Sequence, residues 1–464
     1  MFRGPIAASL IVLMPMTPGA GKPAKVAPVA PQELARIWDA EHVSPPLPPL
    51  LEHGEVERRL QAVSQADPGR FVFERVGASL EGRSINMITT GTGPFRVFLW
   101  SQMHGDEPTA TAALFDVFDY LERHRDDSVV QRILSALTLH VVPMLNPDGA
   151  ERFQRRNAQG IDINRDALGL QTPEGQVLKS LRDRFNPKVG FNLHNQGWNT
   201  TVGDPPKPAS ISLLSVAYDK PRSENAGRKL TRKLCAVIRD AIEPFASGQI
   251  GRYDDEFEVR AFGDNLTLWG TPVVLIETGP FPSAEPDPAL VRLNFIGILS
   301  ALDALATGNV DKADPKRYET LPMNESKGLY ILVTHATILS GTGIPPFTAD
   351  IGISANRRVR TVDGRRRIQI QASIADLGDL RTYGALRTID ATGLMAAPLW
   401  DPDLKEGQEI DLPDWSKQPS SRIIAPGQSA EIVLMRPLDV ARGRALGDPS
   451  RPASRYVVQT ILKY

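Results

Sequence analysis

Four residues in this 464-residue chain have types and spacings that could do chemistry: His104 and Glu107, three apart, then His194 and Glu277. Imidazole nitrogens and carboxylate oxygens are zinc ligands, and a catalytic zinc usually has three protein ligands and a water. A His-x-x-Glu pair alone is a weak signal. A solvated loop histidine and a helix-start glutamate favoured by the dipole would give the same string. Position strengthens it. His104, His194 and Glu277 each follow a short apolar run of strand type: Val97-Phe98-Leu99-Trp100, Val189-Gly190-Phe191-Asn192-Leu193 and Thr271-Pro272-Val273-Val274-Leu275-Ile276. Open α/β sheets place their sites at the carboxyl ends of such strands. The set assembles as His104, Glu107 and His194 for a metal, with Glu277 as a base.

The elements that must position these residues alternate. A helical pattern over Gly54–Gln65 precedes strand-like Phe71–Val76 and Ser84–Thr90, joined through the turn Leu80-Glu81-Gly82-Arg83. Pro108 suits the first turn of a helix whose apolar face runs over Ala110–Leu121. Leu137–Pro143 is a further apolar strand, with His140 as a satisfied core histidine, and it ends in the turn residues Asn146-Pro147-Asp148-Gly149. Helical patterns cover Gln176–Phe185, Glu224–Ile242 and Leu290–Ala306. Alternating strands and helices predict an α/β domain with a mixed, largely parallel sheet flanked by helices. From about Leu321 the texture changes to strands at Gly328–Ile338, Arg367–Ala375 and Val457–Leu462, an all-β sandwich domain reached through the polar connection Asn309–Thr320.

Composition bounds the function. A net charge of −1 with 23% charged residues gives no electrostatic case for nucleic acid or an anionic membrane surface. The single cysteine, Cys235, excludes an intrachain disulfide and a cysteine zinc cluster, and reads as a buried structural thiol. Arg3, the apolar run Ile6–Met16 and Gly19-Ala20-Gly21 predict a secretory signal peptide over residues 1–21, hence an exported periplasmic or extracellular protein. No other stretch reads as a membrane span. Residues 22–50, rich in Pro and Ala, suit an extended spacer in which Gln32–Glu41 could form a short helix.

Between the candidate ligands lies Arg155-Arg156-Asn157-Ala158-Gln159-Gly160-Ile161-Asp162-Ile163-Asn164-Arg165. With Glu81-Gly82-Arg83, His104-x-x-Glu107, Asn146-Pro147-Asp148-Gly149, His194 and Glu277, in this order over residues 51–310, the chain resembles the zinc carboxypeptidases A and B and their bacterial relatives. The resemblance implies one Zn²⁺ held by His104, Glu107 and His194, with Glu277 as general base. It implies that Asp162 orients His104, that Asn164 and Arg165 bind a substrate's free terminal carboxylate, and that Arg155, preferred to Arg156, stabilises the oxyanion. Tyr253 is the candidate for the tyrosine that closes over substrate, with a packing role as the alternative, and Asp264 or its neighbours could line the side-chain pocket or cap a turn.

The segment Leu332–Ile353, with Gly378-Asp379-Leu380 and Thr388–Leu394, resembles the small β-sandwich beside the barrel of D-aminoacylase-like and dihydroorotase-like amidohydrolases. The metal-binding His-x-His strand of those enzymes is missing here, which implies an accessory role for residues 321–464. The expected protein is an exported zinc metallocarboxypeptidase acting on peptides. A zinc amidase acting on cell-wall peptides or N-acyl amino acids, and a catalytically inactive peptide-binding protein, are the alternatives.

Overall fold

A computed structural model describes residues 27–44, 50–283, 286–340, 344–414, 423–438 and 455–464. The expected signal peptide and the run Pro45–Pro49 lie outside them. The chain opens with helices α1 (Pro31–Glu41) and α2 (His53–Ala66), then strands β1 (Phe71–Ala78), β2 (Ser84–Thr90) and β3 (Phe95–Ser101). Next come α3 (Thr109–Arg123), α4 (Ser128–Ala136), β4 (Leu137–Val142), α5 (Pro147–Arg152), α6 (Pro173–Phe185) and β5 (Val189–Asn195). Short strands β6 (Thr201–Val202) and β7 (Lys207–Pro208) lead to β8 (Ile211–Ser215), α7 (Ala226–Ile242), β9 (Ile250–Arg252), α8 (Phe262–Leu268), β10 (Val273–Thr278) and α9 (Pro286–Thr307).

These strands form one eight-stranded mixed sheet in the order β1-β2-β4-β3-β5-β10-β8-β9. Its centre is parallel, β4 with β3, β3 with β5 and β5 with β10, as continuous apolar runs buried on both faces require. One face packs against α3, α7 and α9 through residues such as Phe118, Leu234 and Phe295. The other packs against α6 and α8 through Trp100, Leu178 and Phe262. His140, inside β4, bonds Thr89 Oγ1 through Nδ1 at 3.0 Å and stacks on Phe185 with ring centroids 3.6 Å apart, the satisfied core histidine expected of it. Cys235 is buried in α7, and burial pushes its thiol pKa up.

Three expectations are corrected. Residues 27–44 are not an extended spacer. The helix expected at Gln32–Glu41 forms, and it buries Leu34, Ile37 and Trp38. Trp38 Nε1 donates to Asp116 of α3 at 2.7 Å, which also accepts from the Val43 and Ser44 amides. The connection Asn309–Thr320 contains a 3₁₀ turn and a short helix, α10 (Lys316–Glu319). Its Tyr318 is 3% exposed and accepts from the Ser215 amide through its hydroxyl, so this segment also anchors rather than merely connects. And α9 is, over Asp287–Thr307, long and apolar enough to cross a membrane by length and composition, with a mean hydropathy of 1.6. It is the central helix of the larger core, lying against α1, α3, α4 and α7.

The second sheet comprises β11 (Gly328–Ile338), β12 (Phe347–Val362), β13 (Arg365–Gly378), β14 (Gly384–Asp390), β15 (Met395–Pro398), β16 (Glu409–Asp411), β17 (Ile432–Pro437) and β18 (Arg455–Leu462). Its order is β13-β12-β11-β15-β17-β18-β16, with β14 on β11. The β12–β13 hairpin turns at Asp363-Gly364, both at positive φ, a favoured two-residue hairpin turn. The two sheets are tied by Asn324, which donates to Gln196 Oε1 at 2.8 Å and accepts from Ser212 at 2.7 Å.

Burial, helped by the charge of Arg96, lowers the His140 pKa from its ordinary 6.5 to about 4. The fold therefore holds the neutral ring, and stability contributed above pH 6.5 is lost as pH falls towards 4. His140→Phe should shrink the difference in urea-unfolding free energy between pH 7 and pH 4.5 by on the order of 2 kcal/mol. An unchanged difference would mean that the ring is not held neutral.

Candidate metal and catalytic centre

Strand ends β3, β5 and β10 deliver the site. Glu277 of β10 lies in register with His194 of β5, and Thr278 with Asn195. His104 follows β3 after the bend at Gln102, which has φ 49°. Its loop is held from behind by the Asn146-Pro147-Asp148-Gly149 segment. Asn146 Nδ2 donates to the Met103 and Arg155 carbonyls at 3.3 Å, while its Oδ1 accepts from the Gly149 amide at 2.9 Å. Gly105 is packed so closely that a Cβ there would run into the Gly149–Ala150 peptide bond. Asp148, fully buried, accepts from Ser79, from the Glu81 amide and from Arg83 at 2.7 to 3.1 Å. The weak turn motifs of the sequence thus make the wall against which the His104 loop is set.

At the centre His104, Glu107 and His194 converge, and their ligand-type atoms all lie within 4.8 Å of one another. Glu107 Oε1 is 2.7 Å from His104 Nδ1, and Oε2 is 2.8 Å from His194 Nδ1. The two Nδ1 atoms are 3.2 Å apart. Asp162 Oδ1 sits 3.1 Å from His104 Nε2 and its Oδ2 accepts from Arg155 Nε at 3.0 Å. The Asn195 amide donates to Glu107 Oε2 at 3.0 Å.

Charge explains how these groups titrate. Burial alone would depress His104, but Glu107 and Asp162 outweigh it and raise its pKa to about 9. Burial lowers that of His194 in spite of Glu107. Burial works against Glu107 and Asp162, yet their cationic neighbours hold both well below the usual carboxylate range. The raised pKa favours a proton on His104 where no cation takes its place, and Arg155 adds positive charge beside both carboxylates. Two imidazole nitrogens and two carboxylate oxygens facing one point, buried, are a donor set that fits a divalent metal ion.

Glu277 is half-buried beside them, and its buried Oε2 has no hydrogen-bond partner among the described residues. Burial, then the charge of Glu107, raises its pKa well above the ordinary value. Arg155 reaches inwards, Nη1 lying 3.1 Å from His104 Nδ1 and 3.4 Å from Glu107 Oε1, whereas Arg156 bonds only the Gly160 carbonyl from an exposed position. Asn164 Oδ1 accepts from the Phe262 amide at the start of α8 at 3.0 Å. Arg165 bonds the Asn164 carbonyl at 2.8 Å and lies 3.5 Å from Glu258. Tyr253 is 38% exposed, and burial of its ring, then the charge of Glu277, raises its pKa. Asp264 Oδ1 accepts from the Glu258 amide at 2.9 Å, the turn-capping bond among its two expected roles, and burial pushes its pKa up to about 7.

Sequence reasoning missed Asn195, although its place directly after a ligand-type histidine at a strand end was the available signal. It also missed Asp106, a half-buried carboxylate with a buried Oδ1 whose pKa burial raises, for which the sequence carries no signal.

A mixed α/β sheet thus carries, at its strand ends, a buried His-Glu-His cluster that could hold a metal ion, with a carboxylate beside it. Residues 56–248 match the zinc carboxypeptidase family model. A probable carboxypeptidase 2 of Arthroderma benhamiae is 28% identical over 144 residues, 30% of this chain and 27% of that protein. Carboxypeptidase SOL1 of Arabidopsis thaliana is 33% identical over 116 residues, 21% of this chain and 24% of that protein. The chain thus spans about a quarter of the length of these curated relatives. A metallo-carboxypeptidase structure from Burkholderia cenocepacia aligns with TM-score 0.44 and 18% identity, covering 54% of this chain and 69% of that one.

The donor geometry predicts one divalent metal ion per chain. His194→Ala removes a nitrogen that no other described residue replaces, so metal analysis after dialysis should find well under one equivalent in that variant against one in the wild type. Full occupancy in the variant would reject the cluster as the metal site.

Proposed function

We propose that this protein is an exported zinc metallocarboxypeptidase that removes C-terminal residues from peptides. The observation that carries the proposal is the buried convergence of His104, Glu107 and His194 beside a carboxylate, Glu277, with an unpartnered oxygen. His104, Glu107 and His194 hold the zinc, which when bound polarises the scissile carbonyl and lowers the pKa of a water towards about 7. Glu277 accepts the proton of the attacking water and passes it to the leaving amine, a task helped by a pKa that burial raises well above the ordinary value. Asp162 fixes the His104 ring and the Arg155 guanidinium through its two oxygens. Arg155 stabilises the negative charge that grows on the carbonyl oxygen.

Asn164 and Arg165 bind the substrate's free carboxylate. The Asn164 side-chain Nδ2 has no partner among the described residues, and Arg165 keeps donors beyond its bond to the Asn164 carbonyl. Tyr253 covers the bound residue. Residues 51–310 form the catalytic domain and residues 321–464 the accessory β-sandwich. Export rests on the amino-terminal apolar run of the sequence.

Glu277→Gln keeps size and polarity and removes the base. Release of the C-terminal amino acid from short peptides, followed by mass spectrometry, should fall by about 10²–10⁴ with zinc content unchanged. A variant within a few-fold of wild type would mean that another group moves the proton.

A further inference from the structure

A cavity of about 50 Å³ opens one residue beyond the site, where the two sheets meet. Asn195 and Thr278, the residues after His194 and Glu277, line it from the first sheet, with Trp198 beside them. Asp287 and Leu290 line it from α9, and Arg357 from β12 of the second sheet. Arg357 donates through Nη2 to both oxygens of Asp287 at 2.6 Å, and its guanidinium lies 5.0 Å from the centroid of the Trp198 ring.

The cavity's direction follows from the two faces of the first sheet. Asn164 and Arg165 adjoin α8, on the face carrying Trp100 and Phe262. The cavity adjoins α9, on the opposite face. His194 and Glu277 lie between. On this arrangement a peptide with its terminal carboxylate at Arg165 and its scissile bond at Glu277 has the Arg357 side of the sheet open to the rest of its chain.

The polar atoms left over match a peptide group. Asp287 engages only Nη2 of Arg357, so Nη1 and Nε remain as donors with no partner among the described residues. Asn195 Oδ1 is buried and unpartnered, an acceptor, because its Nδ2 is committed to Thr109 at 2.7 Å. One side thus offers N–H groups and the other an oxygen, the complement of a backbone C=O and N–H. An acidic side chain is a poorer fit, since Asp287 already neutralises Arg357 and would repel a second carboxylate. We infer that Arg357 and Asn195 form a subsite for the main chain of substrate residues upstream of the scissile bond, so that the second sheet gives the enzyme a preference for longer peptides independent of upstream charge. This rests on the carboxypeptidase reading above.

The test measures kcat/KM of the full chain on N-blocked di-, tri- and tetrapeptides sharing their last two residues. Wild type should gain about tenfold or more from the dipeptide to the longer substrates, the effect expected of hydrogen bonds to a charged group. In Arg357→Leu the ratio of long to short should fall to near one. Arg357→Lys keeps the charge beside Asp287 but loses the planar fork, and should lose most of the ratio too, which guards against misfolding of the leucine variant. Exchanging an upstream Asn for Asp should change little. A wild type indifferent to length, a ratio that survives in both variants, or a strong preference for Asp would overturn the inference while leaving the carboxypeptidase reading intact. Failure of the wild type to cleave any peptide would reject that reading and the subsite with it.

Discussion

The centre depends on one carboxylate shared between two imidazoles. Glu107 presents one oxygen to His104 and the other to His194, with all three groups buried and the two ring nitrogens 3.2 Å apart. Burying a carboxylate is costly unless positive charge accompanies it. Here the charge is a proton held on His104 by two carboxylates, or a cation in its place. The rest of the architecture serves that requirement. Asp162 grips His104 from behind and keeps Arg155 alongside, and the Asn195 amide steadies the second oxygen. The parallel pairing of β5 and β10 then fixes Glu277 across from His194, close enough to feel the charge of Glu107.

The second sheet is joined to the first through polar contacts that converge near this centre. Gln196, two residues past His194, bonds Asn324, and Arg357 reaches Asp287 at the start of α9. Farther away, Arg366 of β13 lies 3.0 Å from Glu52, at the amino end of α2. Loops that carry functional groups are placed by the scaffold around them. The ends of β5 and β10 are therefore braced from both sheets, which gives the accessory segment a physical reason to sit where it does.

The ligand-type residues were legible because chemistry and topology repeat: His104, His194 and Glu277 each sit at or just beyond a strand of mostly apolar residues, and such strands announce themselves. Of the two neighbouring arginines, Arg155 reaches His104 and Glu107 while Arg156 turns to the Gly160 carbonyl. The Pro/Ala-rich stretch misled because composition reports backbone preference and not the partner. Trp38 finds Asp116, 78 positions away, and that contact has no local signature. The long strand Phe347–Val362 was hidden by exposed arginines on its outer half, which break the alternation that strands are recognised by. Arg357 and Asp287, 70 residues apart, meet only through the fold.

The central claim is that this buried centre acts on peptides with a free chain end. It is tested most directly by comparing kcat/KM on one peptide series as free acids and as C-terminal amides, in wild type and in Arg165→Ala. Arg165 is partly exposed, with 37% of its side chain open to solvent, so the loss expected from deleting its contact is at the low end for such pairs, about 30-fold. Amidation and the substitution should each produce it, and together they should cost far less than the sum, because both remove one contact. Equal cleavage of free-acid and amidated peptides by the wild type would contradict the account, even with one zinc bound per chain.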